Sequence, residues 1–148
     1  MRSRRLALGL TQAELARRTR IARTNIVAIE SGKRSAGPTL RDMITEALKA
    51  LPGDLLARNR TAVCEAIYRS GFRNPRVFGS CAKYQDRYES DVDLIVDKGE
   101  TQSQADLVDK ARLLGELEGI LSVPTDLVID FGRESRVLSA VRNEAIAL

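Results

Sequence analysis

The chain has 148 residues, 43% of them apolar, and a net charge of +4; it holds no histidine and no tryptophan. That length allows one or two small domains, with cores built mainly from Leu, Ile, Val and Ala. The lack of histidine excludes imidazole acid–base chemistry, histidine zinc ligands and Ser-His-Asp triads. No run of about 18 apolar residues occurs, so no transmembrane helix is expected. The basic start, Met1-Arg2-Ser3-Arg4-Arg5, lacks a following apolar signal core. Cys64 and Cys81 read as free thiols, and a cytoplasmic location is expected.

Charge is split along the chain. Residues 1–60 hold 13 Lys and Arg against 5 Asp and Glu, while residues 61–148 hold 11 against 15. A basic first half points to a polyanion, and an acidic second half is compatible with metal–nucleotide chemistry. In the first half, Leu10-Thr11-Gln12-Ala13-Glu14-Leu15-Ala16-Arg17-Arg18 predicts a helix. Thr11 is its N-cap, Glu14 completes a capping box, and Leu15 and Ala16 face inward. A break follows at Thr19-Arg20-Ile21. A second helix then runs through Thr24 to Glu30 and stops at Ser31-Gly32. Two short helices around a tight turn form a helix-turn-helix pattern.

The sequence Gly-Leu-Thr-Gln-Ala-Glu-Leu-Ala, followed by Asn25-Ile26-Val27-Ala28-Ile29-Glu30-Ser31-Gly32-Lys33-Arg34, resembles the XRE/Cro-like DNA-binding family over roughly residues 2–52. The later helices lie between Leu40 and Leu51. The resemblance implies that Arg23, Thr24 and Asn25 read bases, that Gln12 fixes a phosphate or base edge, and that Lys33 and Arg34 meet phosphates. Two departures stand out: helix 1 is abbreviated, and Ala22 replaces the usual hydroxyl cap of the recognition helix. Both would weaken a lone domain, so a dimer or a neighbouring domain is expected to support it.

Leu51-Pro52-Gly53 breaks the chain. An amphipathic helix is expected from Asp54 to about Ser70, with Leu55, Leu56, Val63, Ile67 and Tyr68 on its apolar side. Asn74-Pro75 leads into a strand that ends at Val77-Phe78 and turns at Gly79-Ser80. Ten residues later Asp91-Val92-Asp93 opens a second strand, Leu94-Ile95-Val96. Side chains alternate along a strand, so Asp91 and Asp93 share a face. Paired carboxylates suit a hard divalent cation, and a Gly-Ser turn lets backbone N–H groups approach phosphate. Further helices are expected between Ser103 and Gly119, and from Ser135 to Leu148 with Val137, Leu138, Val141 and Ile146 inward. Between them, Val123 to Asp130 reads as a strand carrying Asp126 and Asp130. Periodicity leaves both open as a third carboxylate, because residues four apart on a strand share a face.

Gly-Ser, a ten-residue gap and Asp-x-Asp resemble the minimal nucleotidyltransferase (MNT) group of the polymerase-beta superfamily, over residues from about 74 to 148. The resemblance favours Asp126 as the third carboxylate. It implies that Asp91, Asp93 and Asp126 are the catalytic and Mg²⁺-holding residues, and that Gly79, Ser80 and Lys83 bind the phosphates of ATP. The family often continues Gly-Ser-x-Ala-Arg-Gly, whereas this chain has Cys81-Ala82-Lys83-Tyr84. Lys83 keeps the charge without the two-pronged geometry of Arg, and Tyr84 is a bulky ring in place of glycine.

Together these readings predict an α+β chain: an all-α helix-turn-helix domain over 1–52, then a small mixed-sheet nucleotidyltransferase domain over 53–148 with a leading helix at about 54–70. The resemblance implies an antitoxin that binds its operator DNA and transfers AMP from ATP to a hydroxyl of a HEPN-type toxin, as a homodimer or as a hetero-oligomer with that toxin, without a membrane. The alternative is a non-catalytic repressor that neutralises its toxin through a degenerate fold. A transferase acting on an antibiotic or RNA would need a substrate domain for which little chain remains.

Overall fold

The computed structural model describes residues 1–99, 107–133 and 135–148. The chain divides into two compact units, Met1–Ala50 and Leu51–Leu148.

The first unit is helical: α1 Arg2–Ala7, α2 Gln12–Thr19, α3 Arg23–Glu30 and α4 Pro38–Ala47. Apolar residues from each break and helix converge on one core of Leu10, Leu15, Ile21, Ile26, Ile44 and Leu48. The expected capping box at Thr11 is present: Glu14 N–H donates to Thr11 Oγ1 at 3.1 Å, and Thr11 N–H donates to Glu14 Oε2 at 2.6 Å. Helix α2 ends on Arg20 in the left-handed region. Ala22 caps α3 through its backbone alone, with no side-chain bond. One helix, not a pair, fills the segment expected from Leu40 to Leu51. It starts early because Pro38 at its first turn is pre-set for helical φ and needs no N–H partner.

A buried ion pair ties α1 to the end of α3. Arg5 donates to Glu30 through Nε at 2.7 Å and Nη2 at 2.9 Å, and through Nη1 to the Leu10 carbonyl at 2.5 Å. Gln12 Nε2 donates to the same Glu30 carboxylate at 3.0 Å. The side chains of Arg5 and Glu30 are only 7% and 3% exposed. Arg4 adds bonds to the carbonyls of Leu48 and Ala50, where the α4 dipole is negative. These contacts dock α1 onto the rest of the unit.

The second unit opens with α5 Pro52–Arg69, whose buried stripe of Leu55, Leu56, Val63, Ala66 and Ile67 follows helical spacing. Then come β1 Arg73–Phe78, the single turn α6 Gly79–Ala82, β2 Val92–Asp97, α7 Leu107–Leu121, β3 Thr125–Asp130, α8 Arg136–Glu144 and β4 Ile146–Ala147. The start of the helix expected from Ser103 lies outside the described residues. The sheet order is β3-β2-β1-β4. Strands β2 and β3 run parallel through the α7 crossover, and β1 is antiparallel to both β2 and β4. Pro75, which cannot donate to a ladder, sits where the β1–β2 register shifts. Helices α5 and α7 pack together and against the sheet, over the buried side chains of Val77, Val92, Leu94, Val96 and Leu127.

The C-terminus differs from expectation. The last helix stops at Glu144, and Ile146–Ala147 pair with β1 as a fourth strand. Without them β1 would present an open edge, and strand pairing there overrides the local helical period. Val137, expected inward, is 72% exposed, and Ile146 is exposed on the short strand.

Losing one partner of the Arg5–Glu30 pair strands a buried charge, at a cost of about 3–5 kcal/mol. A unit of this size holds roughly that much stability in total, so Arg5→Ala is expected to abolish the cooperative melting of the helical unit by circular dichroism. Arg5 holds the Glu30 carboxyl below its ordinary range. Its contribution is therefore present above the ordinary glutamate pKa and is lost as pH falls through the depressed folded value. An acid titration of helicity checks this.

Candidate active site

The parallel register of β2 and β3 sets Asp93 directly beside Asp126. Asp91 stands just before β2, two residues from Asp93, and therefore on the same side. Carboxylate oxygens of Asp91, Asp93 and Asp126 all lie within 4.8 Å of one another. Asp130, the rival third carboxylate, lies elsewhere: it takes two bonds of 2.5 Å from Arg142 and one of 2.8 Å from Gly132 N–H. Arg142 holds the Asp130 carboxyl below its usual range. Four residues along a strand span about 13 Å, so Asp126 and Asp130 cannot serve one ion despite sharing a face.

The Gly-Ser segment is one helical turn, not a bare bend. It leaves β1 at Gly79, whose φ of +67° lies in the left-handed region. Phe78 pairs with Asp93 across the sheet, so Gly79 passes directly over that carboxylate. A Cβ at Gly79 would sit 3.1 Å from Asp93 Cγ and closer still to Oδ2. Both the backbone angle and the space therefore demand glycine. Cys81 Sγ reaches the Asp91 carbonyl at 3.5 Å and ties α6 to the approach to β2. Burial, then the Asp86 carboxylate, pushes the Cys81 thiol up to about 11, so it is protonated at neutral pH and is not a nucleophile.

Asp93 is the electrostatic centre. Burial raises its pKa first, then the charges of Asp91, Asp126 and Glu144. Close like charges each cost up to a few kcal/mol, less where solvent screens the exposed Asp91 and Asp126. The donor set is all oxygen, which fits a hard divalent ion. Asp91, Asp93 and Asp126 would hold it.

Of the expected phosphate ligands, Gly79 lies against Asp93. Lys83 is exposed, with Nζ 2.7 Å from Glu144 Oε2. Ser80 is half-buried in α6, beside Gly79. Tyr84 has φ +54°, the left-handed conformation that glycine takes without strain, and its ring is 90% exposed. The backbone there keeps the shape that suits glycine although the residue has changed.

In the helical unit, Arg23 and Thr24 are exposed on the first turn of α3, and Lys33 is exposed just beyond its end. Asn25 and Arg34 hold each other, with Arg34 Nη1 donating to Asn25 Oδ1 at 2.8 Å. Gln12 is half-buried on Glu30. The sequence reading missed two groups: Arg5 with Glu30, and Glu144 beside the Gly79 turn. Each contact joins residues far apart in sequence, and no local pattern signals it.

Comparison with known proteins agrees with this division. Residues 1–52 match the HTH_3 helix-turn-helix family. A Methanocaldococcus jannaschii protein named "Putative protein adenylyltransferase" is 31% identical over 80 residues, which are 54% of this chain and 83% of that protein. A solved "putative minimal nucleotidyltransferase" superposes with a TM-score of 0.57 at 40% identity, covering 65% of this chain and 95% of its own. The chain belongs to the minimal nucleotidyltransferase family, with a helix-turn-helix domain at its N-terminal end. The fold class is α+β, and among the described residues no helix is long and apolar enough to cross a membrane.

Because the folded pKa of Asp93 is raised, its contribution favours folding at low pH and is lost as pH rises through that value. Asp93→Asn is expected to raise the melting temperature of the metal-free protein at pH 7 by a few degrees, about 1 kcal/mol. Mg²⁺ at about 100 times its Kd is expected to stabilise the native protein by about 2.7 kcal/mol and the variant far less. Differential scanning calorimetry with and without Mg²⁺ checks both.

Proposed function

We propose that the C-terminal unit transfers AMP from ATP to a tyrosine hydroxyl of a partner protein, a HEPN-type toxin, and that the helix-turn-helix unit represses the shared operon by binding its DNA. The observation that carries the catalytic half is the convergence of Asp91, Asp93 and Asp126 beside the Gly79 turn. In this reading the Gly79 N–H, the Ser80 hydroxyl and Lys83 bind the β- and γ-phosphates and orient the α-phosphate over the carboxylates. Mg²⁺ held by Asp91, Asp93 and Asp126 would neutralise charge on the phosphates and make the acceptor hydroxyl easier to deprotonate. The acceptor oxygen bonds to the α-phosphorus, and the bond from that phosphorus to the bridging oxygen breaks. Pyrophosphate leaves with the electron pair. The hydroxyl proton passes to Asp126 and on to water, since the chain has no histidine to take it. The name of the archaeal relative, a protein adenylyltransferase, supports protein as the acceptor.

DNA binding in this reading uses Arg23 and Thr24 on base edges, with Asn25 held in place by Arg34. Lys33 and Arg34 meet phosphates, and Gln12 orients the recognition helix through Glu30. A dimer would place two such helices in successive major grooves, about 34 Å apart.

A second reading has a specific observation behind it. Lys83 is paired with Glu144, and the exposed Tyr84 stands where the resemblance of the motif leads one to expect glycine. This favours a repressor that docks its toxin through the fold without transferring AMP.

Incubation with α-labelled ATP, Mg²⁺ and the product of the adjacent gene separates the two. Label is expected on the partner with native protein, with a loss of at least 100-fold in Asp93→Asn. Equal labelling by both proteins, or none by either, would sink the transferase assignment. For the DNA half, operator affinity is expected to fall by orders of magnitude between 50 and 200 mM salt, and Arg23→Ala to relax sequence preference by about 1–3 kcal/mol. Titration of labelled operator fragments at several salt concentrations measures both effects.

A further inference from the structure

Helix α8 is held in an unusual way. None of its residues is fully buried, and its C-terminal part is fixed by charge. Arg142 grips Asp130 with two bonds of 2.5 Å. Glu144, the last residue of the helix, lies with Oε2 2.7 Å from Lys83 Nζ, and α8 packs there against α6, the turn that begins at Gly79. A carboxylate at a helix C-terminus faces the negative end of the dipole, so α8 itself disfavours Glu144 where it stands. Its charge also bears on Asp93, as a fourth carboxylate beside the cluster. Lys83 is what compensates it, and a half-exposed ion pair of this kind contributes little net stability.

Lys83 and the neighbouring Gly79 are among the groups assigned above to the phosphates of ATP. Carboxylate and phosphate oxygens are equivalent acceptors for an ammonium and a backbone N–H. We propose that Glu144 is an intramolecular phosphate mimic, which occupies the cradle of Gly79 and Lys83 until a nucleotide displaces it and so frees the C-terminal end of α8. This inference rests on the reading that Gly79 and Lys83 bind phosphate. It adds a self-competing residue and a moving element. Two consequences follow. Nucleotide affinity is reduced by the fraction of molecules in which Glu144 holds the cradle. Nucleotide binding also loosens a helix whose apolar side chain Val137 is already 72% exposed, so the occupancy of the site is reported on the outer surface of the unit.

The test uses the full chain with Mg²⁺ and a non-hydrolysable ATP analogue. Calorimetric titration compares native protein, Glu144→Gln and Glu144→Ala. Hydrogen exchange of 136–144 is followed in the native protein as the analogue is added. If the closed form outnumbers the open one by ten, both variants bind about tenfold more tightly, and exchange of α8 rises with nucleotide in the native protein. Equal or weaker binding by the variants, or unchanged exchange on saturation, overturns the mimic while leaving the phosphate-binding reading intact. No binding by any of the three proteins removes that reading and the mimic with it.

Discussion

The arrangement of the second unit depends on mutual repulsion among three carboxylates that the sheet forces together. Parallel pairing of β2 and β3 fixes Asp93 against Asp126, and the two-residue period of a strand brings in Asp91. The backbone positions are fixed, because the strands are locked by an apolar face of Val92, Leu94, Val96 and Leu127 packed under α5 and α7. Burial thus stabilises the sheet while holding the acidic face in a state that bare water does not favour. Such a site gains from a cation what it lacks without one. The turn above it is fitted to the same constraint. Gly79 has neither a Cβ to strike Asp93 nor a barrier to positive φ, so the backbone of the turn comes within reach of the carboxylates.

The acidic residues on this face fall into two groups with opposite electrostatics. Asp130 and Asp97 are answered by guanidinium groups, from Arg142 and Arg76. Their charges are spent on structure: Asp130 anchors α8, and Asp97 binds Arg76 and Asn74 on β1. The cluster of Asp91, Asp93 and Asp126 has no such partner in the contacts described. Carboxylates of the same type thus divide by whether an arginine reaches them, and Asp93, with its pKa raised, and Asp130, with its pKa lowered, stand on the two sides of that division.

Much of this was legible in the sequence because it depends on short-range rules. Thr11 and Glu14 form a capping box because their spacing matches one helical turn, and tertiary context does not disturb it. Asp91 and Asp93 share a face because strand period is fixed. Asp126 against Asp130 was open from periodicity alone; the register of a parallel pair, which depends on the crossover, decided which one stands beside Asp93. The C-terminal helix was over-extended because Val141 and Ile146 fit a helical period, whereas the open edge of β1 recruits Ile146 and Ala147 as a strand. Arg5, Glu30 and Glu144 were not legible at all. Each works through a partner distant in sequence, and a charged residue near a helix end reads locally as a solvated one.

The two units bind, in the proposed reading, the same chemical group by opposite means. DNA phosphates stay intact, so cations on flexible side chains such as Arg23 and Lys33 suffice, and release of counterions supplies the driving force. A phosphate that is to be attacked at phosphorus needs charge placed to a fraction of an ångström and an electrophile left uncovered. Long basic side chains place charge loosely, and they would neutralise the phosphate without holding a metal. Short aspartates on paired strands fix the position instead and leave the positive charge to an exchangeable ion. This accounts for the split in the chain, with 13 basic against 5 acidic residues in 1–60 and 11 against 15 in 61–148. It also gives Lys83 a different standing from the basic residues of the helical unit. As a single ammonium beside an acidic cluster, it is contested by Glu144 within the same chain. Competition of that kind is possible only where negative charge is in excess, which is the condition the three aspartates create.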